Sequence, residues 1–380
     1  MDMVSVNRFL STVFLISGTA IGAGVIALPL AAANLNFIQV AVFIVIGFFV
    51  AYYSSCMAVR LSQHVGKGTG IAELSKQLGG KFTFTLSIVT FYILSLALLS
   101  AYFAGLTDTL GSFFNIPSTY VTLLCGVGLM LMLLLNVRLF DRLNAILFLI
   151  LIASLVFITF SVSKFNANYF DMSLKNRGLA CFLPIVFTSF GVQNVCAHVC
   201  NYLELDIKKI QSAFKIGIII PALIYFAWIV TVIVSIQSSD VEFFERMKNQ
   251  QVGVGELVSF LCGNTTYPIT GTIFKLLTFS AMATSAIGIG IGLLDSIRET
   301  YIPEKRLALS LVVLIPVIVA IFYPSTFVQI LSFGAMIATF WVIFIPYYLL
   351  QKIDKKSAYS LKHILCLLFG IAVFVCEFLG

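Results

Sequence analysis

Eleven separate runs of about 20 apolar residues follow one another along this chain of 380 residues. A helix of that length matches the hydrocarbon thickness of a bilayer. The chain is 60% hydrophobic and only 10% charged, whereas soluble proteins carry about 25% charged residues. We therefore predict an all-α polytopic membrane protein whose main solvent is the lipid bilayer. The predicted spans are 9–33, 37–60, 82–107, 118–136, 143–163, 179–201, 215–237, 269–294, 307–323, 325–349 and 361–379.

The distribution of lysine and arginine predicts the orientation of these spans. If the amino terminus lies in the cytoplasm, 17 of the 23 basic residues fall in cytoplasmic loops and 5 in outer loops, while Lys275 lies within a span. Cytoplasmic loops of membrane proteins carry such an excess. The odd number of spans then places the carboxyl terminus outside. Orientation also accounts for the net charge of +7, so we expect no nucleic-acid partner.

The residue chemistry does not favour catalysis, a cofactor or a metal site. No paired carboxylates occur within a predicted span, and the stretch Gly66–Gly70 lacks the full spacing and preceding strand of a phosphate-binding loop. We interpret that stretch as a flexible cytoplasmic loop. Cys196 and Cys200 would share one face of a helix while His198 points elsewhere. The eight cysteines are interpreted as structural, and the chain is not expected to be an enzyme.

Helix-breaking residues interrupt the first span at mid-depth, in the stretch GTAIGAGVIALPL from Gly18 to Leu30. Unwound backbone is tolerated within a membrane only where it lines a protein-enclosed cavity, although glycines also let helices pack closely. The sixth span carries Pro184 and the stretch Phe187–Asn194 at a similar depth. These two spans begin the two five-span halves. Because each half has an odd number of spans, the second half begins on the opposite side of the membrane and is inverted relative to the first. Paired interrupted helices of this kind indicate the binding site of a transporter.

The ends of such half-helices suit a small zwitterion. Their amino-terminal ends present N–H donors and partial positive charge, which attract a carboxylate, and their carboxyl-terminal ends attract cations. No lysine or arginine is expected near the midplane, so the backbone would supply the binding charge. The simplest substrate with both charges is an amino acid. A channel, which needs a continuous polar path, or another non-catalytic membrane protein is the alternative.

The stretch GTAIGAGVIALPL resembles the first-helix signature of the bacterial aromatic amino acid permeases, which are the tryptophan/tyrosine permeases of the hydroxy/aromatic amino acid permease family. The stretches Ser100–Gly105, Phe187–Gly191 and Gly288–Asp295 are similar to the family's third, sixth and eighth helices. This resemblance implies a LeuT-like fold with a 5+5 inverted repeat, broken helices 1 and 6, and an eleventh helix. The expected single transporter domain, 1–380, would comprise repeats at about 9–163 and 179–349 and an additional helix at about 361–379.

The resemblance also implies proton-coupled symport of tyrosine or tryptophan into the cytoplasm, by alternating access across the bacterial inner membrane. Sodium coupling, or transport of a broader range of neutral amino acids, is the open alternative. The family usually continues after Gly191 with a histidine- or glycine-containing stretch, whereas this chain has Val192-Gln193-Asn194-Val195. Because of this departure, the resemblance does not predict which aromatic amino acid is preferred. The sequence makes no prediction of the oligomeric state.

Carried over by position, the resemblance assigns the substrate site to the two breaks. The first break would hold the substrate carboxylate through backbone N–H groups. The second would receive the ammonium through carbonyl groups and wall the side-chain pocket, with Gln193 and Asn194 available to a substrate hydroxyl or indole N–H. The expected substrate-binding residues are Thr19, Ala20, Ile21, Gly22, Ala23, Gly24, Phe187, Thr188, Ser189, Phe190, Gln193 and Asn194.

The eighth span carries hydroxyls with the spacing of a sodium site in LeuT-like folds. Oxygen ligands suit a hard cation, but serine and threonine are ordinary in membrane helices, and the presumed proton-coupled relatives carry hydroxyls there too. The possible cation site consists of Gly18, Ile21, Ala281, Thr284 and Ser285.

A proton would need a titratable group within the membrane. His198, in the inner half of the sixth span, is the candidate because an ordinary histidine titrates near pH 6.5. A hydrogen-bonded packing histidine is the alternative interpretation. Glu377 is expected on the peripheral last helix. The coupling ion expected from the resemblance is the proton, with sodium as the alternative.

Overall fold

The computed structural model describes residues 3–22, 24–114, 116–135, 137–161, 179–263, 268–300, 302, 304–324 and 326–379. Every regular element in these ranges is helical. The α-helices are α1 Met3–Ala20, α2 Gly24–Ala32, α3 Phe37–Val65, α4 Ile71–Leu74, α5 Lys81–Phe114, α6 Ser118–Leu134, α7 Val137–Ser161, α8 Leu179–Ser189, α9 Cys196–Tyr202, α10 Ile207–Ser239, α11 Val241–Lys248, α12 Val254–Gly263, α13 Pro268–Thr300, α14 Lys305–Phe322, α15 Phe327–Thr339, α16 Ile345–Ile353, α17 Lys355–Ala358 and α18 Leu361–Leu379.

A straight or interrupted helix lies at each of the eleven predicted spans. Within the described residues, seven helices are long and apolar enough to cross a bilayer by length and composition, and α1 with α2 makes an eighth if that bent pair is one span. α6 has 17 residues and is a shorter apolar helix. The boundary predicted between the ninth and tenth spans is confirmed, since α14 ends at Phe322 and α15 begins at Phe327.

The helix contacts follow the order expected of an inverted repeat. α1 of the first span packs on α10 of the seventh, and α8 of the sixth packs on α3 of the second. Likewise, α7 of the fifth span packs on α13 of the eighth, and α15 of the tenth packs on α5 of the third. Each contact reappears when every span is exchanged for the one five places along, which confirms the predicted 5+5 arrangement. The exact residue limits of the repeats stay a prediction.

Large apolar side chains cover the outside of the helix bundle as well as its core. Leu124 on α6 and Leu149 on α7 are 64% and 67% exposed, whereas Tyr225 and Trp228 on α10 are almost completely buried. A soluble protein does not expose contiguous apolar faces of this extent. The exposed faces therefore suit lipid, as the composition predicts.

The stretch Gly66–Gly70 is held against the inner half of the sixth span, which differs from the flexible loop that we expect from its sequence. Gly66 ends α3 with a φ of 83°, a left-handed conformation that favours glycine. The Gly68 N–H donates to the Asn201 side-chain oxygen at 2.8 Å, and the Asn201 amide donates back to the Gly68 carbonyl at 2.9 Å. A Cβ at Gly68 would lie 2.9 Å from the Cβ of Cys200, so only glycine allows this approach.

Two short helices, α11 and α12, cover the end of the bundle opposite the start of α1. The carboxylate of Asp108 on α5 accepts a hydrogen bond from the Gly255 N–H at 2.8 Å, which caps the first turn of α12. A Cβ at Gly253 would lie 2.9 Å from the same carboxylate. α12 has ten residues, which are too few to cross a membrane.

Candidate functional site

The first span breaks between α1 and α2, whose axes differ by 51°. Ile21 and Gly22 lie in the bend, and Ala23 lies outside the described residues. The last carbonyls of α1 and the first N–H groups of α2 have no partner within their own helices. Both helix ends also carry partial charge. The predicted interruption of this span is confirmed.

A tyrosine of the seventh span braces this break. The Tyr225 hydroxyl lies 2.6 Å from the Ala20 carbonyl oxygen and 3.2 Å from the Ser189 carbonyl oxygen, and the Gly22 N–H is a further hydrogen-bonding neighbour. Its single proton can reach either carbonyl. Tyr225 thus links the carboxyl-terminal ends of the half-helices α1 and α8. Nothing in the sequence distinguishes this tyrosine from other aromatic residues of apolar helices.

Close packing explains two of the glycines. A Cβ at Gly22 would lie 2.5 Å from the Ser285 hydroxyl oxygen, and a Cβ at Gly24 would lie 2.6 Å from the Ser189 Cβ. Non-bonded carbon and oxygen atoms do not approach a Cβ this closely, so a side chain at either position would displace its neighbour. The break therefore sits directly against the sixth and eighth spans.

The sixth span is interrupted over Phe190–Val192 and continues as a short 3₁₀ turn, Gln193–Val195, before α9. The Thr188 hydroxyl donates to carbonyls in its own helix, and the Gln193 amide donates to the Ser54 hydroxyl of α3 at 2.8 Å. Gln193 therefore secures the interrupted backbone to the second span. The predicted break is again confirmed.

A cavity of about 710 Å³ joins the two breaks. It extends to Thr69 and to Ala197 of α9, so it reaches the end of the bundle at which α1 starts. None of its described lining residues carries a charge, which leaves the helix ends as its main fixed partial charges. The predicted site residues that line it are Gly18, Thr19, Ala20, Ile21, Gly22, Gly24, Phe187, Thr188, Ser189, Gln193, Asn194, Thr284 and Ser285.

Aromatic side chains from five spans contribute to the cavity lining. The rings of Phe91 and Trp341 lie 5.5 Å apart, tilted by 32°. Trp341 is 8% exposed, and its indole nitrogen has no hydrogen-bond partner within the described residues. It lies in a π-helical turn, Phe340–Phe344, a feature often found at functional sites. The aromatic lining residues are Phe14, Phe91, Tyr102, Phe148, Phe187 and Trp341.

Three predicted residues lie away from the cavity lining. Phe190 is 1% exposed and packs edge-on against the Tyr225 ring, with 5.6 Å between ring centroids. Ala281 is fully buried in α13. His198 is exposed on α9 and stacks on Tyr202, with 5.7 Å between centroids. The structure therefore places the proposed proton carrier outside the cavity, on the surface of the sixth span.

The hydroxyls expected at a cation site form hydrogen bonds within their own helix. Thr284 donates to the Ser280 carbonyl at 2.8 Å, with the Ala281 carbonyl at 3.3 Å. Ser285 donates to the Ala281 carbonyl at 3.0 Å, and the Tyr102 hydroxyl is another neighbour. The Ala281 carbonyl is thus near the hydroxyls of both Thr284 and Ser285.

The whole chain matches one family of membrane transport proteins. The model of the tryptophan/tyrosine permease family matches residues 5–379. The chain belongs to this family. It is therefore a multi-pass membrane permease. Its cavity lies between two unwound helix segments and has no charged residue among the described lining residues.

Two relatives of this permease cover almost its full length. The tyrosine-specific transport system 1 of Haemophilus influenzae is 25% identical, over 93% of this chain and 90% of the relative. The glutamine transporter 2 of Aliivibrio fischeri is 21% identical, over 92% and 90%. A crystal structure of a manganese transporter from Eremococcus coleocola has a TM-score of 0.66 at 14% identity, over 97% of this chain and 85% of that one. The last similarity concerns the fold alone and agrees with the predicted LeuT-like arrangement.

Proposed function

We propose that this permease carries tyrosine or tryptophan into the cytoplasm together with a proton, by alternating access. One observation carries the proposal above the others: the cavity between the two broken helices has aromatic walls and no charged lining residue among those described. Backbone groups must then bind both charges of the substrate, which is what a zwitterion between opposed helix ends requires.

The substrate carboxylate would face the amino-terminal end of α2 beside Gly22 and Gly24. The ammonium would face carbonyl groups at the carboxyl-terminal end of α8, near Ser189. The aromatic ring of the substrate would lie among Phe91, Phe148 and Trp341, which line the same cavity. An aromatic pair in a preferred geometry contributes about 0.5–1.5 kcal/mol beyond its buried area. Such a wall favours tyrosine and tryptophan over aliphatic amino acids.

The shape of the cavity supports alternating access. On the orientation predicted from the basic residues, its open end faces the cytoplasm and the state is inward-facing. Every residue of α2 is buried, and the Trp228 indole donates to the Val25 carbonyl at 2.5 Å. These contacts close the path on the outer side of the two breaks. Outward opening would have to separate them.

The proton is proposed as the coupling ion from the resemblance to the permease family. The hydroxyls of Thr284 and Ser285 both lie within hydrogen-bonding distance of the Ala281 carbonyl, an arrangement that is ordinary in membrane helices. His198 lies on the surface of α9, outside the cavity lining. The alternative of a broader neutral substrate range is supported by the glutamine transporter among the relatives. Sodium coupling is the alternative for the ion.

Uptake into proteoliposomes tests substrate and ion separately. Labelled tyrosine should accumulate when an inward proton gradient is imposed without sodium, and unlabelled tryptophan should compete. Accumulation driven by a sodium gradient at constant pH would overturn the proton assignment. If glutamine competes well and neither aromatic amino acid is accumulated, the substrate class is wrong.

A further inference from the structure

A second cavity, of about 310 Å³, lies at the opposite end of the bundle from the opening of the first. Its lining includes Leu30, near the end of α2, and Glu377, near the end of α18. Gly24 at the start of α2 lines the inner cavity. α2 therefore separates the two cavities, and the second lies on the outer side of the closed path. A volume of this size falls at the lower end of small-ligand pockets.

Glu377 is the single charged residue among the described residues that line this outer cavity. The Ser332 hydroxyl of α15 donates to one of its carboxylate oxygens at 2.5 Å. No lysine or arginine in the described part of the chain pairs with it. Glu377 thus faces the centre of the molecule through α15 and does not lie on the lipid-facing side of the last helix, as its peripheral position in the sequence suggests.

The remaining lining divides into polar and apolar parts. Gln250, Gln251 and Gln329 supply amide groups that can donate hydrogen bonds to a carboxylate. Met247 and Val252 are buried and form part of an apolar wall with other lining residues. An anionic side chain, amide donors and an apolar wall within one cavity match the ammonium, carboxylate and side chain of an amino acid.

We propose that this outer cavity is a second binding site for an α-amino acid with an apolar or aromatic side chain, with Glu377 pairing with its ammonium group. The identity of the ligand rests on the proposed function, whereas the existence of the site rests on the cavity and its carboxylate. The two sites differ in how they bind charge. The inner one uses helix ends, and the outer one uses side chains of α15, α18 and the segment Gln250–Val254.

Two native cysteines allow binding at this site to be measured without transport. Cys181 and Cys376 line the outer cavity, whereas Cys262, in α12, does not. The purified full-length permease would be treated with N-ethylmaleimide, and modification of each cysteine followed by peptide mass spectrometry. We expect saturating tyrosine or tryptophan to slow modification of Cys181 and Cys376 at least threefold, with the rate at Cys262 unchanged.

Analogues and variants assign the protection to the ammonium and to this cavity. Tyramine, which keeps the amine, should protect, and 3-(4-hydroxyphenyl)propionate, which lacks it, should not. Protection should persist in Gly22→Leu, in which the inner site is blocked, and should be lost in Glu377→Gln. Glu242→Gln, which neutralises an exposed acid on α11 that is not part of the lining, is the matched control and should behave as the unsubstituted chain.

The outcomes separate this proposal from the transport proposal. Absence of protection by both aromatic amino acids, or protection that survives Glu377→Gln, overturns the outer site even if uptake is normal. Protection that depends on Glu377 supports the outer site even if the proteoliposomes accumulate neither amino acid. In transporting vesicles, Glu377→Gln should raise KM about fivefold with little change in kcat, as expected for the loss of one partly exposed ion pair.

Discussion

The first and sixth spans are both interrupted and share the Tyr225 hydroxyl, but each break also has contacts of its own. At the first, two short glycine approaches and the Tyr225 hydroxyl support a bend of 51°. At the sixth, Ala180–Tyr202 stays within one span, and a 3₁₀ turn is tied to α3 by Gln193. The first break thus bends its span sharply, while the second interrupts the helix over Phe190–Val192 within one span. An unwound membrane helix can therefore be stabilised either by a neighbour's side chain or by its own.

The largest effect is expected where the first break has least room. Gly22→Leu should lower tyrosine uptake by about a hundredfold or more, because its side chain would overlap Ser285 and fill the cavity. Gly128→Leu is the matched control, since Gly128 on α6 has nothing within 4 Å of the position of a Cβ. Uptake is measured per unit of protein in the membrane. Normal uptake by Gly22→Leu would mean that the substrate does not use this break.

Removing the brace at the first break should lower stability more than removing the tie at the second. Tyr225→Phe deletes the hydroxyl next to the carbonyls of Ala20 and Ser189, and an unsatisfied buried polar group costs about 1–3 kcal/mol. We expect a lower denaturation midpoint in mild detergent, together with reduced uptake. If the midpoint is unchanged, water must satisfy the carbonyls in place of tyrosine.

The tie at the second break can be isolated with a double-mutant cycle. Gln193→Leu and Ser54→Ala each remove one partner of a buried hydrogen bond of 2.8 Å. The coupling free energy should be about 0.5–1.5 kcal/mol, the usual contribution of such a bond. Additive losses of stability would show that the two side chains act independently, and the contrast between the breaks would then rest on the glycines alone.

The smallest effect is expected beyond the second break, at Asp206. Its carboxylate caps α10 by accepting from the Lys209 N–H at 3.1 Å, and that bond, ahead of the Lys209 charge, lowers the pKa of Asp206. A lowered pKa in the folded state stabilises the protein above the unfolded pKa of about 3.9 and loses this effect as pH falls through the folded pKa. Asp206→Asn should therefore cost a few tenths of a kcal/mol at neutral pH. The difference in denaturation midpoint should vanish in acid; a constant difference would exclude the charge as its cause.

Hydropathy located the spans well because the bilayer imposes both length and composition on them. The breaks at Gly18–Gly24 and Phe187–Asn194 were predictable for a related reason. Residues that weaken a helix are tolerated at mid-depth only where the unwound backbone is enclosed by protein or lines a cavity. Tyr225 gave no such signal. It is one aromatic residue in an apolar helix, and its partner Ala20 lies 205 residues away in the chain.

The direction of individual side chains was harder to predict than the position of the breaks. Phe190 follows the last residue of α8, so the turn and not a helical period sets its direction, and it packs behind the cavity wall. The 3₁₀ turn before α9 shifts the helical phase, and His198 lies on the surface. Glu377 occupies a peripheral helix in sequence but contacts Ser332. Only the packing of distant helices could reveal that contact.

The reciprocal pair between Asn201 and the backbone of Gly68 constrains how the inner end of the molecule can rearrange. The two hydrogen bonds and the close approach at Gly68 hold α9 against the segment that connects the second and third spans. The two segments are therefore expected to move together. A movement of α9 that closes the cytoplasmic end of the cavity must move the segment Gly66–Gly70 with it or break both hydrogen bonds. Mobility at Gly66–Gly70 would thus report the movement of the sixth span.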